Sequence, residues 1–253
     1  SHMKDHERSL SMEYPKTARF DKTLLNQCMM GPNCLKLLEA LMSHAPLPQA
    51  ARVLDLGCGM GLTSLMLCGE YGAKVFATDL WIDAGENLKR FEARGCGESI
   101  IPIHADANSL PYANGYFDAV VSVDSYHYFG TEPGFFRRRI LPLLKPGGVA
   151  ALTFPGLKRE LEAMPDEMKL SWADAEEEVM ATFHSPEWWR ALLLPDCGDC
   201  TLTVGELDGF EECWADWLKT ENEHAVGDRR AMEAGAGRYM NFVYVVVRKG
   251  ERA

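Results

Sequence analysis

A single α/β domain built around a largely parallel sheet is the fold class this sequence predicts, and three observations predict it. From Ala51 onward, short apolar runs alternate with stretches of helical periodicity, the pattern of successive strand–helix–strand units. Glycines crowd the first strand-to-helix junction, at Gly57, Gly59 and Gly61. The 253-residue chain has the length of one large domain with room for an inserted segment.

Each element follows from local pattern. Arg52–Leu56 is a short apolar strand, after which Leu62, Leu65, Met66 and Gly69 recur at helical spacing. Ala73–Asp79 predicts a second strand, residues 83–94 a helix, and Ser99–His104 a third strand. Phe117–Asp124 is apolar almost throughout, as a strand covered on both faces must be. Residues 132–144 predict a helix with Phe136, Ile140, Leu143 and Leu144 on one side. Lys145-Pro146-Gly147-Gly148 then stops it and turns into a strand over Val149–Phe154. Residues 156–199 show no strand pattern but carry Met164, Met168, Trp172, Trp188 and Trp189, so a helical insertion is expected. Within it, Ser185 followed by Pro186 is a helix start. Strands return at Thr201–Gly205 and Tyr239–Arg248, with a helix near 210–222 between them.

Upstream of the sheet, residues 4–49 predict a helical arm of two segments split at Gly31-Pro32, and residues 50–253 the domain proper. Ser1-His2-Met3 reads as a tag remnant, and no signal peptide follows it. No run approaches the roughly 18–20 apolar residues of a membrane span. A formal charge of −11 argues against a nucleic-acid partner, which needs clustered Lys and Arg. The one tight basic run, Arg137-Arg138-Arg139, reads as a solvated helix face. The eight cysteines are scattered, several within apolar elements, as in a reduced cytoplasmic protein. Cys197 and Cys200 form one CxxC without a second pair, so no metal site is expected.

The chemistry concentrates after the first strand, in Val53-Leu54-Asp55-Leu56-Gly57-Cys58-Gly59-Met60-Gly61. Glycines there let the backbone pass close to a ligand. A dinucleotide fingerprint would need its third glycine at position 62, which is Leu62, so a nicotinamide or flavin cofactor is disfavoured. Asp79 ends the second strand, where an acidic side chain can accept ribose hydroxyls. Alone, it reads equally as a strand-end turn cap. Trp81 can cover an adenine face or belong to the core, and Asp106 can receive an adenine amino group or form a turn.

As an ordered series, VLDLGCGMG (53–61), VFATD (75–79), HAD (104–106), FDAVVSVDSYHYF (117–129) and LPLLKPGGVAALTF (141–154) resemble the class I S-adenosylmethionine (SAM)-dependent methyltransferase family over roughly residues 50–154. The resemblance implies a Rossmann-like seven-stranded sheet of order 3-2-1-4-5-7-6 with an antiparallel seventh strand. It also implies binding of SAM, with S-adenosylhomocysteine (SAH) as product, over the carboxyl ends of the first, second and fourth strands. Gly57 and Gly59 would underlie the methionine and ribose, Asp55 would support that loop, and Asp79 would take the ribose hydroxyls. Leu80, Trp81, Asp106 and Ala107 complete the cofactor set, and Asp124 would face the sulfonium.

For the acceptor, Asp124-Ser125-Tyr126-His127-Tyr128 is the informative stretch. A hydroxyl nucleophile needs a base, and His is best placed near neutral pH. His127 is therefore the candidate base and Tyr126 an orienting group, with pocket-wall packing the alternative for both. The stretch is similar to the segment that carries a His in phosphoethanolamine and ubiquinone/menaquinone methyltransferase-like enzymes. In the phosphoethanolamine enzymes that His aligns with Tyr128. Tyr14, Tyr128 and Trp188 are candidate substrate contacts. The 156–199 segment and the 10–49 arm, rich in Met and aromatics such as Phe20, Met29 and Met30, read either as core or as a lid over a compact, partly apolar small molecule such as an amine, phenol or quinol. Rival readings are a cyclopropane-fatty-acid synthase-like SAM enzyme and a SAM-binding protein without catalysis. Arsenic methylation would require cysteines converging near the sulfonium.

Overall fold

The computed structural model describes residues 13–251. The tag remnant and the start of the arm lie outside them. Seven strands form one sheet of order β3-β2-β1-β4-β5-β7-β6. They are β1 (Arg52–Leu56), β2 (Lys74–Asp79), β3 (Ile100–His104), β4 (Phe117–Val123), β5 (Leu144–Leu157), β6 (Thr201–Glu206) and β7 (Met240–Arg248). β1 to β5 pair in parallel, and β7 runs antiparallel to both β5 and β6. The expected order and the expected antiparallel strand are both present.

Strand side chains alternate between two cores, which is why β4 reads as apolar throughout. Val53, Val75, Ala119 and Val121 face a core closed by α3 (Cys34–Met42), α4 (Leu62–Tyr71) and α5 (Ala84–Ala93). Leu54, Phe76, Val120 and Leu152 face a second core with Phe135, Phe136 and Trp189. The remaining helices are α1 (Pro15–Arg19) and α2 (Lys22–Cys28) in the arm, then α6 (Asp166–Trp172), α7 (Glu176–Thr182), α8 (Pro186–Cys197), α9 (Phe210–Leu218) and α10 (Glu223–Glu233). Ser185 caps α8 by accepting from the Trp188 amide, as its sequence implies.

Several boundaries differ from expectation, each for a local reason. The arm holds three described helices, not two. Its break at Gly31-Pro32 is as expected, with the Asn33 side chain capping α3. The expected 132–144 helix is a wide turn over Phe136–Ile140 followed by a tight one over Leu141–Leu143, because Pro142 has no N–H to continue a ladder. Arg137, Arg138 and Arg139 are exposed there. β5 begins before the Lys145–Gly148 turn, which is absorbed as a register shift opposite Phe117 and Ala119. It also runs past Phe154 to Leu157, into the stretch expected to lack strand, because β7 supplies partners as far as Met240. The 210–222 helix stops at Leu218, and Asn222 caps a further helix. Among the described residues no helix is long and apolar enough to cross a membrane.

Candidate functional site

β1 is flanked by β2 on one side and β4 on the other, so the chain leaves it in opposite directions. The strand ends part there and open a crevice at their carboxyl edge, the usual ligand position in open α/β sheets. A cavity of about 620 Å³ lies at this point, within the 300–1,000 Å³ range of small-molecule sites. The glycine loop, Asp79, Trp81, Asp124, Ser125 and Tyr128 line it, together with Met30 and Gly31 from the arm and Glu178 from α7. A second hollow of about 220 Å³ adjoins it through Gly57, Asp79, Trp81, Ser125 and Tyr128, and is lined further by Leu80, Asp106 and Ala107.

The glycine loop is tied at both ends. The Gly57 and Cys58 amides donate to the Thr78 carbonyl at 2.8 and 3.1 Å, joining the ends of β1 and β2. Gly57 has φ +77°, a left-handed conformation that favours glycine. Asp79, almost fully buried, accepts from the Gly59 amide at 2.9 Å through Oδ2 and from the Trp81 and Ile82 amides at 2.8 and 3.0 Å through Oδ1. The turn-cap reading of Asp79 is therefore present in the structure. Carboxylate oxygens have further lone pairs, so the side chain can still accept hydroxyls from a ligand.

Asp55 sits beneath the loop and is fully buried. Its Oδ2 accepts from the Thr63 and Ser64 hydroxyls at 2.6 and 2.7 Å, while Oδ1 has no partner. Burial outweighs those two hydrogen bonds and raises its pKa to about 6. Asp124 follows β4 with φ +59°, rare for a residue with a side chain. Its carboxylate accepts no hydrogen bond from described residues, and burial, then Asp228, pushes its pKa up to about 7. Asp106 is exposed and caps its own turn, accepting from the Asn108 amide at 2.8 Å.

Asp55, Gly57, Gly59, Asp79, Leu80, Trp81, Asp106, Ala107, Asp124 and Tyr128 thus converge on one crevice. Four other expected residues do not. His127 and Tyr126 occupy a short turn after β4, but both are fully buried and neither lines the cavity. His127 packs between Tyr128, Phe154 and Phe183, with ring centroids 4.0, 6.1 and 5.8 Å away, and neither of its nitrogens has a partner. Burial drives its pKa down to about 3. The ring is held among aromatic side chains and does not line the cavity, an arrangement that matches the pocket-wall reading. Tyr126 is stacked on Phe154 and packs edge-on against Phe129 and Phe135, with its hydroxyl unpartnered. Trp188 stacks on His184 at 3.6 Å, away from the cavity lining. Tyr14 lines a separate hollow between the arm and the end of α9.

His127→Phe is therefore expected to hold or raise stability, since a buried polar group without partners costs about 1–3 kcal/mol. Thermal unfolding measures it, and a marked loss of stability would show that the imidazole makes a polar contact after all.

Cys58, Thr63, Ser125 and Glu178 are not among the expected site residues. The Leu62-Thr63-Ser64 run directly after the glycines signals hydroxyls aimed back at Asp55. Met30 belongs to the arm and Glu178 to the 156–199 segment, both read as core or lid, and the tertiary fold brings these two side chains to the crevice. Cys28, Cys34 and Cys58 also line the cavity, yet among the described residues no group of three or more His, Cys, Asp or Glu is arranged to hold a metal.

Comparison with known proteins agrees with this geometry. Residues 54–152 match the model of the methyltransferase domain family. The YqeM protein of Bacillus subtilis (strain 168), which bears a methyltransferase name, is 29% identical over 163 residues, 58% of this chain and 63% of that protein. Trans-aconitate 2-methyltransferase of Variovorax paradoxus (strain S110) is 30% identical over 167 residues, 62% of this chain and 57% of that one. The chain therefore spans about three fifths of the length of these curated relatives. Among solved structures, phosphoethanolamine N-methyltransferase 2 of Haemonchus contortus in complex with SAM superposes with a TM-score of 0.70 at 18% identity. That match covers 99% of this chain and 60% of the other.

Proposed function

We propose that this chain, a member of the class I SAM-dependent methyltransferase family, transfers a methyl group from SAM to a small-molecule acceptor held in the 620 Å³ crevice. The observation that carries this reading is the fit of the crevice to an adenosyl amino acid. A Cβ at Gly57 would lie 2.1 Å from Ser125 Oγ, so the loop leaves room for a ligand only as glycine. Gly57 and Gly59 would hold the amino-acid and ribose parts, Asp79 the ribose hydroxyls, and Leu80, Trp81, Asp106 and Ala107 the adenine. When bound, SAM supplies an electrophilic methyl carbon on a positively charged sulfur.

The chain's own task is then positioning and exclusion of water. Asp55 braces the loop from below through Thr63 and Ser64. Asp124 places a carboxylate where a cationic centre is stabilised, at the end of β4. Tyr128 lines both hollows, so it can contact the cofactor and the acceptor at once. Holding the reacting atoms at about 3–3.5 Å is the main catalytic requirement of such a displacement. Isothermal titration tests the core of this reading: SAM and SAH are expected to bind and NAD is not. NAD binding without detectable SAM binding would overturn it.

The arm and the 156–199 segment act as a lid in this scheme. A Cβ at Gly59 would lie 3.2 Å from Met30 Sδ, and a Cβ at Gly31 would lie 3.0 Å from Asp124 Oδ2, so the arm lies directly across the crevice. Amides of residues 28–34 and 173–183 are expected to gain hydrogen-exchange protection on adding SAH. Equal protection with and without SAH would make these segments static walls.

A further inference from the structure

We infer that the acceptor is a cationic amine, selected by the carboxylate of Glu178 on α7, and this rests on the methyltransferase reading above. The site itself is defined by the glycine loop and the strand ends; the acidic lining speaks only to what fills it.

Among the described residues the cavity's charge is one-sided: Asp79, Asp124 and Glu178 line it, and no described Lys, Arg or His does. The adjoining hollow adds Asp106 and again no described basic residue. The chain's basic side chains are not absent from hollows in general: Lys22, Lys36 and Lys219 line the separate one beside Tyr14. Asp228 adds a further carboxylate behind Asp124, held by the Trp172 and Trp217 indole N–H groups at 3.1 and 2.9 Å. None of the described Lys or Arg residues pairs with Asp124 or Glu178.

SAM carries one net positive charge; Asp79 would serve its ribose, and Asp124 would serve the reacting centre, facing the sulfonium and receiving the acceptor's proton. Glu178 has no role in holding it, so its charge faces the acceptor. An anionic acceptor such as a carboxylate or phosphate would meet uncompensated repulsion in a partly desolvated cleft. A cation would be attracted. The rim reinforces this preference, because Tyr128 and Trp81 are 60% and 86% exposed and offer ring faces to an alkylammonium.

The transfer balances as follows. A primary or secondary amine binds as its ammonium form and gives one proton to the Asp124 carboxylate. The freed lone pair forms the N–CH₃ bond as the C–S bond breaks with its electron pair on sulfur. Positive charge thereby passes from sulfur to nitrogen, and SAH leaves neutral at sulfur. The proton on Asp124 passes to water when the products depart. A tertiary amine needs no proton transfer and yields a quaternary ammonium.

The test is binding by titration to the preformed SAH complex, which is independent of turnover. The probes are matched series sharing one carbon skeleton: benzylamine, benzyl alcohol and benzoate, then N,N-dimethylethanolamine, 3-methylbutanol and 3-methylbutyrate. Within each series the amine is expected to bind most tightly. Glu178 is exposed at the cavity's edge, so Glu178→Gln should weaken amine binding by about two- to fivefold, the size of losing one solvent-exposed charge pair. Glu178→Lys should abolish it, and both should leave SAH affinity unchanged. Once an acceptor turns over, the same variants should raise KM more than they lower kcat. The inference is overturned if a carboxylate or alcohol binds as well as its matched amine, if no amine binds, or if Glu178→Lys leaves amine binding unaltered. Failure of the methyltransferase reading is distinct, because SAH itself would then not bind.

Discussion

Gly57→Ala is expected to abolish measurable SAM binding and to cost the fold about 2–4 kcal/mol, the upper part of the range for single substitutions. Two causes add. At φ +77° an alanine is strained by about 1–2 kcal/mol. Its Cβ would also lie 2.1 Å from Ser125 Oγ and 2.5 Å from Ser125 Cβ, which is not the free end of a long side chain. Ser125 follows Asp124, itself held at φ +59°, so relief requires the β4 loop to retreat from the crevice. Retreat would move the Asp124 backbone as well, and the Gly57 amide would lose its bond to Thr78. Gly72→Ala supplies the control: its φ is +64°, but a Cβ there meets nothing within 4 Å. That variant should show the backbone strain alone, with normal SAM affinity. Denaturant midpoints and titration on both proteins measure the contrast. Wild-type SAM affinity in Gly57→Ala would show that the loop is not the cofactor cradle.

Asp124→Asn is expected to do the opposite to stability while damaging function. Burial, then Asp228, raises the Asp124 pKa to about 7, and burial raises that of Asp55 to about 6. Both exceed the unfolded value of about 3.9, so between about pH 4 and pH 7 the folded protein holds more protons than the unfolded chain. Stability contributed by these groups is therefore complete below about pH 4 and is lost as pH rises towards 7. Asparagine keeps the shape, tolerates positive φ and carries no charge. With discount for the side chain's partial exposure, the variant should gain about 1–2 kcal/mol at neutral pH, or about 3–8 °C in Tm. Its stability should also fall less steeply between pH 4 and 7. Methyl transfer should drop tenfold or more, because the carboxylate at the reacting centre is gone. A destabilised Asp124→Asn protein, or one with full activity, would remove the trade-off between stability and function at this position.

Much of this molecule is legible before folding, and the legible parts share a property. The strands themselves, the glycine loop and the strand-end positions of Asp79 and Asp124 follow from local patterns along residues 50–154; the strand order and the cofactor set come from the resemblance that this ordered series of motifs carries. A strand end can be found from periodicity, and parallel strands put their carboxyl ends on one edge. The predicted cofactor residues therefore meet because they lie at or just past such ends.

The acceptor side was not readable in the same way. His127 and Tyr128 are neighbours in sequence, yet one is fully buried among aromatic rings and the other lines the crevice at 60% exposure. The tight turn over Tyr126–Tyr128 decides which faces which, and spacing from the strand end does not encode that rotation. Trp188 and Tyr14 were sound candidates by residue type, but α8 packs on the opposite core and Tyr14 faces a different hollow. Glu178 and Met30 reach the crevice from segments more than a hundred residues apart in the chain; their Met and aromatic pattern fits core and lid alike, and does not say which side chains turn inward. The sequence by itself determined the sheet and the cofactor edge, because hydrogen-bonded strands turn local periodicity into position. Only the tertiary structure decided the acceptor wall, because it is assembled from helices whose rotation and docking depend on side-chain packing across the whole core.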